Sequence, residues 1–263
     1  MRTGSYVMGI DVGSSVTKGV LLSDGNIVST FMLPTGTELS ITAEECIEGL
    51  LKDRGLTKKD VLYTVSTGYG RTQVKEADKT VTEITCHSRG AKALASGARL
   101  IIDIGGQDSK VIRLDEDGMV ADFVMNDKCA AGTGRFLEVM AERLGVSLFD
   151  FGRMWKTAKR PANISSTCTV FAESEVISLL SAGIALDTII RGLCDAVAER
   201  LLGMIHRVGL VPRVVMTGGV SKNEGVRLSL EKKLALKVTV PEMSQFAGAY
   251  GAAIIANESA VQR

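Results

Sequence analysis

The residues best suited to chemistry in this chain are two cysteines and two glycine-rich turns. Cys129 stands in Met125-Asn126-Asp127-Lys128-Cys129-Ala130-Ala131-Gly132-Thr133-Gly134-Arg135-Phe136, and Cys168 in Ser166-Thr167-Cys168-Thr169-Val170-Phe171-Ala172-Glu173. Each precedes a stretch with apolar residues at helical spacing: Phe136, Leu137, Met140 and Leu144 after the first, Phe171, Val176, Ile177 and Leu180 after the second. The N-terminus of a helix carries positive potential and unpaired N–H groups, which favour a thiolate and equally an anionic cluster. Two thiolates are too few for a cubane cluster, which takes four. A two-fold dimer with both cysteines near its axis would supply them. On these residues alone three readings stay open: ordinary free thiols, a zinc ion held by four shared cysteines, and one iron–sulfur cluster at a subunit interface.

The turns emerge from an internal repeat. Ile10-Asp11-Val12-Gly13-Ser14-Ser15-Val16-Thr17-Lys18 recurs as Ile102-Asp103-Ile104-Gly105-Gly106-Gln107-Asp108-Ser109-Lys110, and both copies run on to an Asp-Gly turn, Asp24-Gly25 and Asp117-Gly118. A second echo pairs Val65-Ser66-Thr67-Gly68 with Val215-Met216-Thr217-Gly218. Glycines between two strands let backbone N–H groups come close to phosphate oxygens. Asp11 suits a magnesium ion, directly or through water. Ser14, Ser15 and Thr17 add hydroxyls, and Lys18 adds a point charge. Thr217-Gly218-Gly219 forms a third glycine turn. No G-x-x-x-x-G-K-[ST] occurs, no G-x-G-x-x-G follows the first strand, and Gly132-Thr133-Gly134 does not sit in a βαβ unit, so P-loop and dinucleotide-binding folds are disfavoured.

These groups need elements to hold them. Each repeat reads as strand, turn, strand, Asp-Gly turn, third strand. In the first, Ile27–Leu33 is the third strand, a helix runs from about Thr42 to Lys52 with Ile47, Leu50 and Leu51 on one face, a strand covers Val61–Ser66, and a helical stretch lies near Val81–Leu94. The second has strands Leu100–Ile104, Lys110–Leu114 and Met119–Met125, a helix-rich insertion over 133–208, strand Arg213–Thr217, helix Asn223–Leu234, strand Lys237–Val240 and a small-residue helix over 244–257. The reading is an α/β protein of two lobes with a cleft between them. The first spans 1–98 plus the C-terminal helix 244–263; the second spans 99–243 and carries a helical insertion, 129–208.

With 31 Lys and Arg against 30 Asp and Glu in 263 residues, net charge says nothing in favour of nucleic acid or an anionic membrane, and neither is expected as a partner. No secretory leader or membrane span is expected, and five cysteines without paired spacing suit a reducing, cytoplasmic setting. Cys46 and Cys194 read as small core residues, Cys86-His87 as structural because neighbours on a helix point apart, and the ten Met as core filler. His206 has no companion at ligand spacing, and the stretch around Trp155 reads as a solvated basic loop.

The two hairpin turns and Val215-Met216-Thr217-Gly218-Gly219-Val220 resemble the phosphate-1, phosphate-2 and adenosine motifs of the actin, sugar-kinase and heat-shock-chaperone ATPases. That resemblance implies the two-lobed actin-like fold, with duplicated βββαβαβα lobes. It implies ATP or ADP with Mg²⁺ at Asp11 and Asp103, and Gln107 near the attacking water. Gly13, Ser14, Ser15, Thr17, Lys18, Gly105 and Gly106 would bind phosphate, with Gly218, Gly219, Asn223 and Gln245 as further nucleotide contacts. The two cysteine segments, quoted as Lys128–Phe136 and Ser166–Glu175, are similar to the cluster-ligand motifs of the activators of 2-hydroxyacyl-CoA dehydratases, a family that also includes the ATP-binding subunits of benzoyl-CoA reductase. This implies a homodimer bridged by one 4Fe–4S cluster on Cys129 and Cys168, reduced by ferredoxin or flavodoxin, that passes single electrons to a dehydratase component as ATP is hydrolysed. A small-molecule kinase, or a nucleotide switch without redox chemistry, is the alternative.

Overall fold

In the computed structural model, residues 5–165 and 168–262 are described, so Ser166 and Thr167 of the second cysteine motif lie outside the described residues. The chain divides into two compact units. One comprises the chain up to Ser96 together with the stretch from Met243 onward, and the other is Gly97–Glu242.

The repeat seen in the sequence is a repeat of topology. In the first unit β1 (Tyr6–Val12), β2 (Val16–Ser23), β3 (Asn26–Pro34), β4 (Val61–Thr67) and β5 (Lys79–Thr80) make one sheet in the order β3-β2-β1-β4-β5. In the second, β6 (Leu100–Ile104), β7 (Ser109–Leu114), β8 (Val120–Asn126), β9 (Val214–Thr217) and β10 (Val238–Thr239) repeat that order as β10-β9-β6-β7-β8. In both, the hairpin pairs are antiparallel and the fourth strand joins the first in parallel. A parallel partner needs a crossover, which α1 (Leu39–Lys52) supplies in the first unit.

Side chains on β1 alternate, because successive residues of a strand face opposite sides. Met8, Ile10 and Val12 pack with Ile47, Leu50 and Leu51 of α1, while Val7 packs on the other face with α2 (Glu83–Leu94) and α8 (Ala247–Val261). Burying each such aliphatic side chain contributes about 1.5–3 kcal/mol. On that second face the backbones nearly touch. A Cβ on Gly90 of α2 would lie 1.8 Å from the Ala247 carbonyl oxygen, and one on Gly251 of α8 would lie 1.8 Å from the Cys86 carbonyl oxygen. A Cβ on Gly9 of β1 would lie 2.1 Å from the Ala249 carbonyl oxygen. The small-residue helix is therefore small so that it can lie against both a strand and a helix.

The second unit carries the insertion: α3 (Gly134–Leu144), α4 (Phe151–Thr157), α5 (Thr169–Ser181) and α6 (Leu186–Val208), with α7 (Glu224–Leu234) after β9. Phe136, Leu137, Met140, Phe151, Leu193, Leu201 and Val226 share one core with Leu100, Ile102 and Ile104 of β6. Among the described residues no helix is long and apolar enough to cross a membrane.

Two expectations need correction. The Trp155 segment is helical in α4 and not a solvated loop: Trp155 Nε1 donates to Ser229 Oγ at 2.7 Å, and the Arg191 guanidinium lies 4.4 Å from its ring centre. Both partners come from distant helices, so no local pattern signalled them. Nor are the methionines all core filler, since Met32, Met119 and Met125 are exposed on outer strands β3 and β8 and the turn before β8.

The glycine crossing is testable by substitution. We expect Gly90→Ala and Gly251→Ala each to lower stability by about 3 kcal/mol, since an overpacked backbone contact cannot relax by turning a side chain. A urea unfolding midpoint unchanged in either variant would contradict the close approach.

Candidate functional site: two unlike turns and a pair of half-buried cysteines

Asp11 is buried near the end of β1, opposite Lys18 in the β1–β2 register. Glycine backbone closes around its carboxylate. A Cβ on Gly68, which has φ +93, would fall 2.5 Å from Asp11 Oδ1, and one on Gly248 would fall 2.4 Å from Asp11 Oδ2. Only glycine combines that left-handed conformation with that proximity. His87 Nε2 lies 3.9 Å from Asp11 Oδ2, beyond hydrogen-bond length. Gly13, Ser14, Ser15 and Lys18 are half-buried around the turn. Thr17 is fully buried and engaged inside it: its hydroxyl lies 2.9 Å from Thr35 Oγ1, which donates to the Gly13 carbonyl at 2.8 Å. Since the Thr35 proton is taken, Thr17 donates to Thr35.

The second turn holds its carboxylate differently. Asp103 accepts from Thr217 Oγ1 at 2.7 Å and faces Lys110 Nζ at 3.5 Å; Lys110 also contacts Asp108 Oδ2 at 2.6 Å. Asp103 and Lys110 are both almost fully buried. A buried ammonium is stable only when paired in this way. The repeat thus encodes different electrostatics: Thr217 donates to Asp103, whereas the corresponding Thr67 hydroxyl is buried beside the Cys86 thiol and donates to no carboxylate among the described residues. Lys110 and Asp108 were given no role from the sequence, although Lys110 stands where Lys18 stands in the first copy, and Thr217 entered only as part of the third glycine turn.

Gly105 and Gly106 are half-buried and Gln107 is exposed. At the third turn Gly218 adopts φ +84, Gly219 opens a short 3-10 helix, and Asn223 caps α7 by accepting from the Val226 N–H at 3.1 Å. Gln245 lies half-buried in the other unit, in a 3-10 turn before α8.

The five cysteines separate cleanly. Cys46, Cys86 and Cys194 are fully buried, and burial pushes the Cys46 and Cys86 thiols up to about 12 and the Cys194 thiol higher still. Cys129 and Cys168 are half-buried and unpaired, and both belong to the second unit. Cys168 is the N-cap of α5, as the helical spacing suggests. Cys129 is not at the end of a helix. Thr133 is the N-cap of α3, and Cys129 lies in the loop before it, its carbonyl accepting from Asn126 Nδ2 at 2.8 Å. Beyond Cys168, α5 buries Ala172 and Val176 and leaves Val170, Phe171, Ile177 and Leu180 exposed. Among the described residues of the single chain, no group of three or more His, Cys, Asp or Glu side chains could hold a metal ion.

The chain is similar to known proteins over nearly its whole length. The family model described as the BadF/BadG/BcrA/BcrD ATPase family matches residues 8–256. The activator of lactoyl-CoA dehydratase from Anaerotignum propionicum is 49% identical over 259 residues, covering 98% of this chain and 100% of that protein. The solved activator of 2-hydroxyisocaproyl-CoA dehydratase from Clostridium difficile, with bound ADPNP, superposes with a TM-score of 0.92 at 42% identity, covering 98% and 96% of the two chains. Component A of (R)-2-hydroxyglutaryl-CoA dehydratase from Acidaminococcus fermentans superposes with a TM-score of 0.93 at 45% identity, covering 98% and 99%. The mixed α/β fold is that of the actin-like ATPases, as the phosphate and adenosine motifs imply.

Two outcomes follow from the geometry alone. In the folded, metal-free chain at about pH 8, iodoacetamide should modify Cys129 and Cys168 first, because the three buried thiols hold their protons far above that pH; peptide mapping that finds Cys46 or Cys86 modified as fast would contradict the burial. Lys110→Met should cost about 3–5 kcal/mol by leaving carboxylate charge uncompensated in the interior, read as a lowered urea midpoint. In Lys110→Met/Asp103→Asn, which removes the fully buried carboxylate charge, much of that loss should be recovered.

Proposed function

The chain belongs to the BadF/BadG/BcrA/BcrD ATPase family, and from that premise we propose that it is an ATP-dependent activator of a 2-hydroxyacyl-CoA dehydratase, donating single electrons to that component from a 4Fe–4S cluster shared by two copies of the chain. The observation that carries the reading is the sorting of the cysteines. Of five, the two in the resembling motifs are accessible, and one of them heads a helix with an uncovered apolar side.

The residues fit such a cluster. Cys129 and Cys168 offer two thiolates per chain, half of what a cubane takes, and a second copy related by a two-fold axis supplies the rest. Val170, Phe171, Ile177 and Leu180, adjoining Cys168, are an apolar surface suited to a second copy. When bound, the cluster would store and release one electron at low potential. The chain itself orients the thiols: α5 presents Cys168 at its positive end, and the Asn126 amide holds the Cys129 peptide. Five unpaired cysteines suit a reducing compartment such as the cytoplasm. Ferredoxin or flavodoxin, the electron donors that the resemblance implies, complete the proposed partners.

ATP and Mg²⁺ are assigned to the turns. Asp11, in its glycine cup with a buried Thr67 hydroxyl nearby in register, has the open chemistry of a cation site. Asp103 carries its own cation in Lys110 and so acts on Mg²⁺ from a pinned position. Gly13, Ser14, Ser15, Lys18, Gly105 and Gly106 would hold phosphate, and the exposed Gln107 would orient the attacking water. Thr17 would then support the turn from inside. Gly218, Gly219, Asn223 and Gln245 remain the proposed contacts to the rest of the nucleotide, with Asn223 also serving as a helix cap.

Protein purified without oxygen should be brown and contain about four irons per dimer. Cys129→Ser and Cys168→Ser should each lose the cluster, while Cys46→Ala and Cys194→Ala keep it. Lys18→Ala should slow ATP hydrolysis with iron content unchanged. A colourless, iron-free protein, or full iron in either serine variant, would overturn the assignment.

A further inference from the structure

Resting on the reading of Gly105-Gly106-Gln107 as a phosphate turn, we propose that of the two half-buried cysteines it is Cys129 that senses the nucleotide, with Ser109 and Thr133 as the positioning residues that join it to the turn. The second turn is closed by the Gly105 N–H donating to the Asp108 carbonyl at 2.9 Å, and both of its glycine carbonyls are engaged by the first residues of α3. Gly105 O accepts from the Gly134 N–H at 2.9 Å, and Gly106 O accepts from the Arg135 N–H at 2.8 Å. These N–H groups are unpaired in an isolated helix, so here the turn itself caps the helix that follows the Cys129 loop. Ser109, next after the turn, adds a third bond, its hydroxyl donating to the Gly132 carbonyl at 2.6 Å.

The link continues to Cys129. The Thr133 hydroxyl and N–H both donate to the Ala130 carbonyl, at 2.7 and 3.0 Å, and close the loop between Cys129 and α3. Ala131, Gly132, Thr133 and Gly134 are buried, as is Ser109. A packed, hydrogen-bonded segment shifts as a body and does not absorb a displacement as a loose loop would. A change at the turn is therefore carried over a few residues to the peptide of Cys129.

Cys168 has a different setting. Its carbonyl accepts from the Ala172 N–H at 3.0 Å within α5, and no bond from the turn to residues 168–181 occurs among the described residues. α3 and α5 share a core through Phe136, Leu137, Met140, Ala172 and Val176 and an ion pair of Arg143 with Glu173, but these contacts lie beyond Cys168 along α5, and no hydrogen bond from α3 or the turn to the Cys168 peptide occurs among the described residues.

The test uses the full chain prepared without iron, so that it does not depend on the cluster. In Cys168→Ser protein the alkylation of Cys129 by iodoacetamide is followed with ADP and then with ADPNP, and the reverse is done for Cys168 in Cys129→Ser protein. Nucleotide binding is measured on the same samples by equilibrium dialysis. Exchanging ADP for ADPNP should change the Cys129 rate by about fivefold or more, and the Cys168 rate by less than about twofold. Thr133→Val and Ser109→Ala should erase most of the Cys129 response while still binding nucleotide, and Thr133→Ser, which keeps the hydroxyl, should restore it. Equal responses at both cysteines, or a full Cys129 response in Thr133→Val and Ser109→Ala alike, would overturn the proposal. Failure of the parent chain to bind either nucleotide would overturn it together with the ATPase reading. A Cys129 response together with no iron in protein purified without oxygen would support this proposal and overturn the cluster alone.

Discussion

The contact on which most of this structure depends is backbone lying directly on backbone. At Gly9, Gly90 and Gly251 a strand and two helices approach until no Cβ fits between them. That packing brings the start of α8, with Gly248, against the carboxylate of Asp11, while Gly68 closes it from the end of β4. A carboxylate set among peptide groups, with little room to rotate, is a better-defined ligand than one on a flexible surface loop. A few of the chain's glycines thus serve to exclude side chains around the first turn.

The second unit solves the same positional problem with charge. Lys110 is buried between Asp103 and Asp108, and Thr217 holds the remaining side of Asp103. Breaking a buried set like this costs more than the set itself contributes, because the desolvation of each ion is compensated only by the others. The two copies of one motif therefore differ in kind: glycine backbone closes around the first carboxylate, and a buried lysine faces the second. Only the second turn is hydrogen-bonded to the helix that follows the loop bearing Cys129 among the described residues.

Much of this was legible before any coordinate. The repeat of Ile10–Lys18 in Ile102–Lys110 anticipates two sheets of one topology, since hairpin turns at Asp-Gly and alternating apolar residues are local properties. The free-thiol character of the cysteines followed from their count and spacing, and the helices after Cys129 and Cys168 followed from periodicity. What stayed hidden depended on partners far apart in the chain. Trp155 looks solvent-facing in a run of Arg and Lys, yet its indole N–H meets Ser229 and its ring meets Arg191. Lys110 looks like one more surface lysine, yet the sheet buries it.

By itself, the sequence determined the order of the elements, the duplicated turns, and the reading of Cys46 and Cys194 as core residues, because each of these is written in residue type and spacing. Tertiary structure alone decided that Asp11 stands in a glycine cup and Asp103 in a charged network, that Cys168 caps a helix while Cys129 lies in a loop, and that the second turn hydrogen-bonds to the helix beyond that loop. The physical reason is that burial and hydrogen bonding across tens of residues are set by how sheets and helices pack, which no local window of sequence contains.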